Sequence, residues 1–337
     1  MSWLQGCSVD DMVAGYESGG CGVVYDHAEH EAFLDCVEQG GGSTVGAEVA
    51  RDNSFAGEFA GKLVVPFVEV LKRYPDAWPG PAQRRGDCVS HSCKNALLGT
   101  VVLEAVLGLP DAVTNKVEEA PQVSKEGESE GVFSTESIYW HRKKNSDGWM
   151  ISAAAKVVLS KSGAVVRKNY PSIGVDLTRY SAVTAGKWGA TPPPDEVVDL
   201  TNDNLFRTAT TLVSPEEWRD YLGKGFFLGT DGGEGFDKRR DMHGVSRRRG
   251  SWSHSMACIG YDDRPGTHSL YGSALALFLN SWGNYNSGPR RIRDTHIDIP
   301  NGSFWAPIKD FKRRAVAFSG ANGWARRSLP DLDPGFV

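Results

Sequence analysis

Apolar residues recur at helical spacing after Cys88, at Val89, Ala96, Leu97, Val101 and Ala105, with Glu104 to the side. This spacing predicts a helix headed by the cysteine. The run from Asp147 through Trp149, Met150 and Ile151 to Leu159 predicts a second, buried helix. Ser214-Pro215-Glu216-Glu217-Trp218 places a capping serine, a first-turn proline and a third-position glutamate in order, so a helix runs to about Leu222 and stops at Gly223. Ser134 and Glu136 mark a shorter helix start before Tyr139 and Trp140. Apolar runs bounded by glycine predict strands at Gly225–Gly229, after His254 as far as Gly260-Tyr261, over Ser269–Leu279 and at Gly302–Trp305.

The polar stretches divide the chain. Residues 1–80 are rich in glycine and acid, with one apolar run from Leu63 to Leu71, and read as an N-terminal extension. Pro75 to Pro81 is a turn-rich connector, after which 81–317 forms the main domain. Glu118–Gly131 reads as an exposed loop, and 187–205, with Pro192-Pro193-Pro194, as an irregular excursion. Asp231–Gly250 is glycine-rich and basic, ending in Arg247-Arg248-Arg249; it reads as a solvated loop or as a cleft rim that selects acidic partners. Residues 318–337 read as a C-terminal tail.

Composition narrows the function. The chain has 337 residues, 40% hydrophobic and 23% charged, which is ordinary for a globular protein. A net charge of −5 argues against broad affinity for nucleic acid or an anionic membrane. No apolar run approaches the ~20 residues that span a bilayer, and the first residues have no secretory pattern. Six cysteines in this length are no disulfide framework, so a cytoplasmic or otherwise reducing compartment is expected rather than a secreted one. Cys21, His27, His30 and Cys36 match no common zinc module, and neither metal nor cofactor is expected.

Three separated residues carry the candidate chemistry. Cys88 lies at a helix start, where unpaired N–H groups and the positive end of the dipole favour thiolate. His254 heads an apolar run, and Asn280 ends another in Leu277-Phe278-Leu279-Asn280-Ser281-Trp282-Gly283. The order Cys, His-x-x-x-x-x-Gly-Tyr, Asn-Ser-Trp-Gly resembles the papain-like cysteine peptidases. The handling of Gly148, Tyr170-Pro171 and the glycine-aromatic strand near Phe304 is similar too. The resemblance implies an α+β fold, a helical half packed against a β-rich half, with peptide substrate across the cleft.

It further implies Cys88 as nucleophile, His254 as proton carrier, Asn280 as the group orienting the imidazole, and Trp282 packed over their bond. The Cys88 backbone N–H would be one oxyanion donor. Gln83, five before the cysteine where the family has a glutamine six before, is the expected second. Arg85 stands where the family has a loop cysteine, and Val89 where an aromatic is usual. Cys93 and His91 are a rival thiol and a rival base, both set aside because they lie along the same helix. The wording around Cys88 and His254 is also similar to papain-like proteins of bacteriophages and bacteria, which implies a virus particle or a bacterial cytoplasm. Two alternatives stand beside a peptidase: a papain-like structural or docking component, for example of a virion, binding through residues 1–80 and the tail, and a cell-wall amidase. Residues 1–80 could also cover the cleft as a prosegment.

Overall fold

A computed structural model of the chain describes Val23, Ala28, Glu31 and residues 56–75, 77–106, 132–142, 147–160, 163–202, 208–212, 214–310 and 313–319. The Cys21–Cys36 cluster, apart from those three residues, the 118–131 loop and the tail beyond Ser319 lie outside the described residues. The fold is α+β.

Its helices are α1 (Phe67–Arg73), α2 (Cys88–Val106), α3 (Glu136–Tyr139), α4 (Ile151–Ser160), α5 (Ala182–Ala190), α6 (Asp195–Asn202), α7 (Pro215–Gly223) and α8 (Pro265–Tyr271). Its strands are β1 (Leu63–Val64), β2 (Asn169–Tyr170), β3 (Val175–Asp176), β4 (Thr208–Leu212), β5 (Leu228–Phe236), β6 (Arg248–Asp262), β7 (Leu275–Leu279), β8 (Ser303–Pro307) and β9 (Arg314–Ser319). One sheet runs in the order β4-β9-β5-β6-β7-β8, with β1 added at the end of β6; every pairing in it is antiparallel. No helix among the described residues is long and apolar enough to cross a membrane.

The two-residue period of the strands builds two cores from one sheet. On β6 and β7, Ala257, Ile259, Leu275, Leu277 and Leu279 face the helical half, against Leu97, Val101 and Ile151. Their neighbours Met256, Cys258, Ala276 and Phe278 face the other way, against Trp218 and Leu222 of α7. Helix α2 is buried on every side from Cys88 to Glu104, so it is the axle of the helical half. The α7 start carries the full capping box: Ser214 Oγ accepts from the Glu217 N–H at 3.2 Å, and Glu217 accepts from the Ser214 N–H at 3.1 Å.

Several expected boundaries move, each for a local reason. The second long helix begins at Ile151, not Asp147. The Asp147 carboxylate is held by Arg85 and Tyr139, and Gly148 has φ +96°, outside any helix. The excursion at 187–205 is largely two helices. Ser181 caps α5 through the Thr184 N–H at 3.1 Å, and the prolines sit in the turn before α6. Trp188 and Val197 then bury together with Trp140 and Leu177.

The basic loop is shorter than Asp231–Gly250, because β5 continues to Phe236 and β6 begins at Arg248. Gly225 and Phe226 belong to the turn closing α7, their N–H groups donating to Leu222 and Tyr221 at 2.9 and 3.0 Å. Helix α8 takes the first part of the expected 269–279 strand. Residues 57–74 share the main core: β1 pairs with β6, the Gly57 N–H donates to Asp220 at 2.7 Å, and Phe67 and Val70 are fully buried.

Candidate active site

Cys88 is the first residue of α2 and is buried. The preceding loop is fixed by polar contacts from three directions. The Gly148 N–H donates to the Gly86 carbonyl at 3.2 Å. Tyr139 donates to Gly86 O at 3.3 Å and to Asp147 at 3.0 Å. Tyr180 donates to the Asp87 carboxylate at 2.8 Å. Asp87 is fully buried, and desolvation pushes its carboxyl up to about 7, against the pull of Tyr180 and Arg85. His91, one turn along, lies with Nε2 3.7 Å from Asp87, too far for a hydrogen bond. Burial, and then the charges of Lys94, Arg167 and His254, hold His91 well below the usual imidazole range.

The sheet supplies the other side. His254 stands on β6 opposite Gly232 of β5. A Cβ at Gly232 would meet Arg313 Cγ at 2.5 Å and the Glu234 carboxylate at 2.7 Å, so the position is built for close approach. Arg313 is buried and donates to the His254 carbonyl at 3.1 Å and the Glu234 carbonyl at 3.1 Å, which pins the backbone of the histidine. In the β6–β7 register Ala257 faces Leu279. The β7 strand ends there, and the turn after it carries Asn280 and Trp282 towards His254.

The side chains meet there. His254 Nε2 lies 3.0 Å from Asn280 Oδ1. The amide oxygen accepts, so Nε2 carries the proton and the basic lone pair is on Nδ1. Trp282 stacks on the imidazole with centroids 4.4 Å apart at 22°, and Trp252 meets Trp282 edge-on at 4.8 Å. Burial pulls His254 down to about 3, with Asn280 opposing and Arg313 adding to the drop. Burial therefore favours the neutral imidazole.

The two sides meet through α2 and the loop before it. Ser92, one turn after Cys88 on the same face, accepts from the Thr230 N–H at 3.3 Å; Thr230 lies two residues before Gly232, the partner of His254. Cys88 also lies within electrostatic range of the Arg313 guanidinium that holds the His254 backbone. Gln83 ties the Cys88 loop to the Asn280 turn. Its N–H donates to Ser281 O at 2.7 Å, its Oε1 takes the Ser281 hydroxyl, and its Nε2 donates to Arg85 O at 2.7 Å. Burial raises the rival Cys93 far above the ordinary thiol range and pushes Cys258 up to about 12, which disfavours thiolate at both.

Val23 lies across this region. It bridges Trp149 in parallel sense, its N–H donates to Ser253 O at 3.0 Å, and its carbonyl accepts from Ser253 Oγ at 2.6 Å. Trp149 adjoins the Gly148 that braces the cysteine loop, and Ser253 adjoins His254. Cys88, His254 and Asn280 are all fully buried. Tyr180, Trp252, Ser281 and Arg313 were not singled out from the sequence for these roles. Trp252 and Ser281 stand inside the two motifs that were; Tyr180 and Arg313 leave no local signal.

No protein-family model and no curated protein sequence matches the chain. Solved structures do. Xylellain, a cysteine protease from Xylella fastidiosa, is 14% identical over 73% of this chain and 85% of its own, with a TM-score of 0.44. Digestive procathepsin L2 proteinase from Tenebrio molitor larval midgut is 12% identical over 74% of this chain and 66% of its own, with a TM-score of 0.40. The ragweed pollen Amb a 11 cysteine protease, in its proform, is 11% identical over 74% of this chain and 64% of its own, at 0.39. At these scores the functional reading rests on the site's own geometry.

Proposed function

We propose that the chain is a papain-like cysteine peptidase with Cys88 as nucleophile, His254 as proton carrier and Asn280 as the residue orienting the imidazole. The observation that carries the reading is the His254–Asn280 hydrogen bond of 3.0 Å under the Trp282 ring, on a sheet packed against a helix that begins with cysteine. In the reaction the Cys88 proton passes to His254 Nδ1 and the thiolate attacks the peptide carbonyl. The oxyanion is met by the Cys88 N–H and the Gln83 amide, whose oxygen Ser281 holds. The imidazolium then protonates the leaving amine, and water releases the acyl group by the reverse sequence.

Residues 1–80 would serve as a prosegment over the cleft, and Val23 among them pairs with Trp149 and Ser253, neighbours of Gly148 and His254. Burial of all three side chains equally favours a second reading, a papain-like fold kept as a structural or docking component.

Thiol labelling separates the two. With residues 1–55 removed, iodoacetamide should modify Cys88 first and faster than in the full chain, and Cys88→Ala should abolish peptide hydrolysis. Labelling at Cys93, or a Cys88 that stays inert in the folded shortened chain, overturns the peptidase reading.

A further inference from the structure

The turn between β5 and β6 is the feature that the catalytic reading leaves unused. Residues 237–249 hold six cations, Lys238, Arg239, Arg240, Arg247, Arg248 and Arg249, against two carboxylates, in a chain whose net charge is −5. The rest of the chain thus carries the whole of the negative excess. The carboxylates are also committed. Asp237 takes Arg249 at 3.4 Å, and Asp241 is engaged with the His243 and Val245 N–H groups and the Tyr271 hydroxyl at 2.8, 3.0 and 2.9 Å. Lys238, Arg239, Arg247, Arg248 and Arg249 are exposed.

This tip is held in place. Buried Arg240 donates to the Ser303 carbonyl at 2.6 Å and the Gly288 carbonyl at 2.9 Å. Its N–H donates to Ser287 O at 2.9 Å, and the Ser287 N–H donates to Lys238 O at 3.0 Å. The cations therefore project from a fixed frame, and an ordered surface binds without first paying to order itself. The tip is joined to the site by rings. The Lys238 ammonium lies 4.9 Å over Tyr285, Tyr285 meets Trp282 at 5.1 Å, and Trp282 stacks on His254 at 4.4 Å. Three steps of about 5 Å are what four to five extended residues cover.

We propose that this basic tip is a docking surface for an acidic segment of the polypeptide substrate, within a few residues of the bond that is cut. Arginine presents a planar fork that fits carboxylates two at a time. The patch is local and bordered by a net acidic chain, which suits a short run of Asp and Glu rather than a long polyanion. The proposal rests on the peptidase reading for the position of the bond, but binding is testable apart from it. The tip is exposed in the full chain, so docking can be measured there directly.

The test uses the full chain with Cys88→Ala and short fluorescent peptides of equal length, carrying a block of glutamates, of serines or of lysines. Anisotropy should show the glutamate peptide binding about tenfold more tightly than the serine peptide at low ionic strength, with the gap closing as salt is added. Arg248→Glu with Arg249→Glu should erase the preference, and the paired lysine substitutions should retain it. Equal binding of all three peptides overturns the proposal. So does displacement of the glutamate peptide by a single-stranded oligonucleotide at lower concentration, which would make the patch a nucleic-acid surface. With residues 1–55 removed and Cys88 intact, acidic preference without hydrolysis leaves the docking surface standing and sinks the peptidase. Hydrolysis indifferent to flanking charge does the reverse.

Discussion

The cysteine and the histidine are held by different physics. The Cys88 side is a buried polar lattice: Arg85, Asp87, Tyr139, Asp147 and Tyr180 bond one another and the loop backbone, and the Arg167–Glu136 pair behind them is wholly buried at 3.0 Å. The His254 side is a strand register closed by aromatic rings, Trp252, Trp282 and Tyr285. A lattice of charges fixes direction but answers to pH and tolerates no missing member. Stacked rings exclude water and answer to volume. The site joins a titratable wall to a dry one, and each can be broken in its own way.

The largest effect is expected on chemistry. His254→Ala should lower kcat by about 10³-fold or more while KM moves little, read from steady-state peptide hydrolysis; Asn280→Ala should cost less, because the Trp282 stack still holds the ring. On the polar wall, Arg167→Met strands Glu136 and should cost about 3–5 kcal/mol in urea unfolding. On the dry wall, Trp282→Ala opens a cavity under the imidazole and should cost about 3–4 kcal/mol; a loss below about 1 kcal/mol would show that the rings pack loosely.

The pH test distinguishes the walls more finely. Asp87, pushed up to about 7, keeps its proton in the folded chain where the unfolded chain has lost it. Its contribution is full below about pH 4 and is lost as pH rises towards 7. His254, at about 3, has the opposite slope: the unfolded chain takes up the proton first, so stability rises from about pH 3 to 6.5. Asp87→Asn should therefore gain stability relative to the parent between pH 4 and 7, by roughly 2–4 kcal/mol. A difference independent of pH would show that Asp87 is not buried as described. The smallest effect belongs to Ser214→Ala, about 1 kcal/mol from the lost cap of α7, with hydrolysis unchanged.

Short-range rules govern what could be read residue by residue along the chain. The helix from Cys88 and the capped start at Ser214 were readable because apolar period and cap chemistry are local. Cys88, His254, Asn280, Gln83 and Trp282 could be named because each stands in a compact motif. Tertiary structure decided what depends on partners far along the chain. Gly232 could sit in a strand because Arg313 and Glu234 fill the space beside it. Arg313 came to His254 through a pairing of β9 with β5 that no local pattern announces. Tyr180 reached Asp87 from 93 residues away, and Val23 reached Ser253 across 230. Spacing along a chain records which face a residue takes within its own element; which elements share a wall is settled by burial and hydrogen-bond satisfaction over the whole fold.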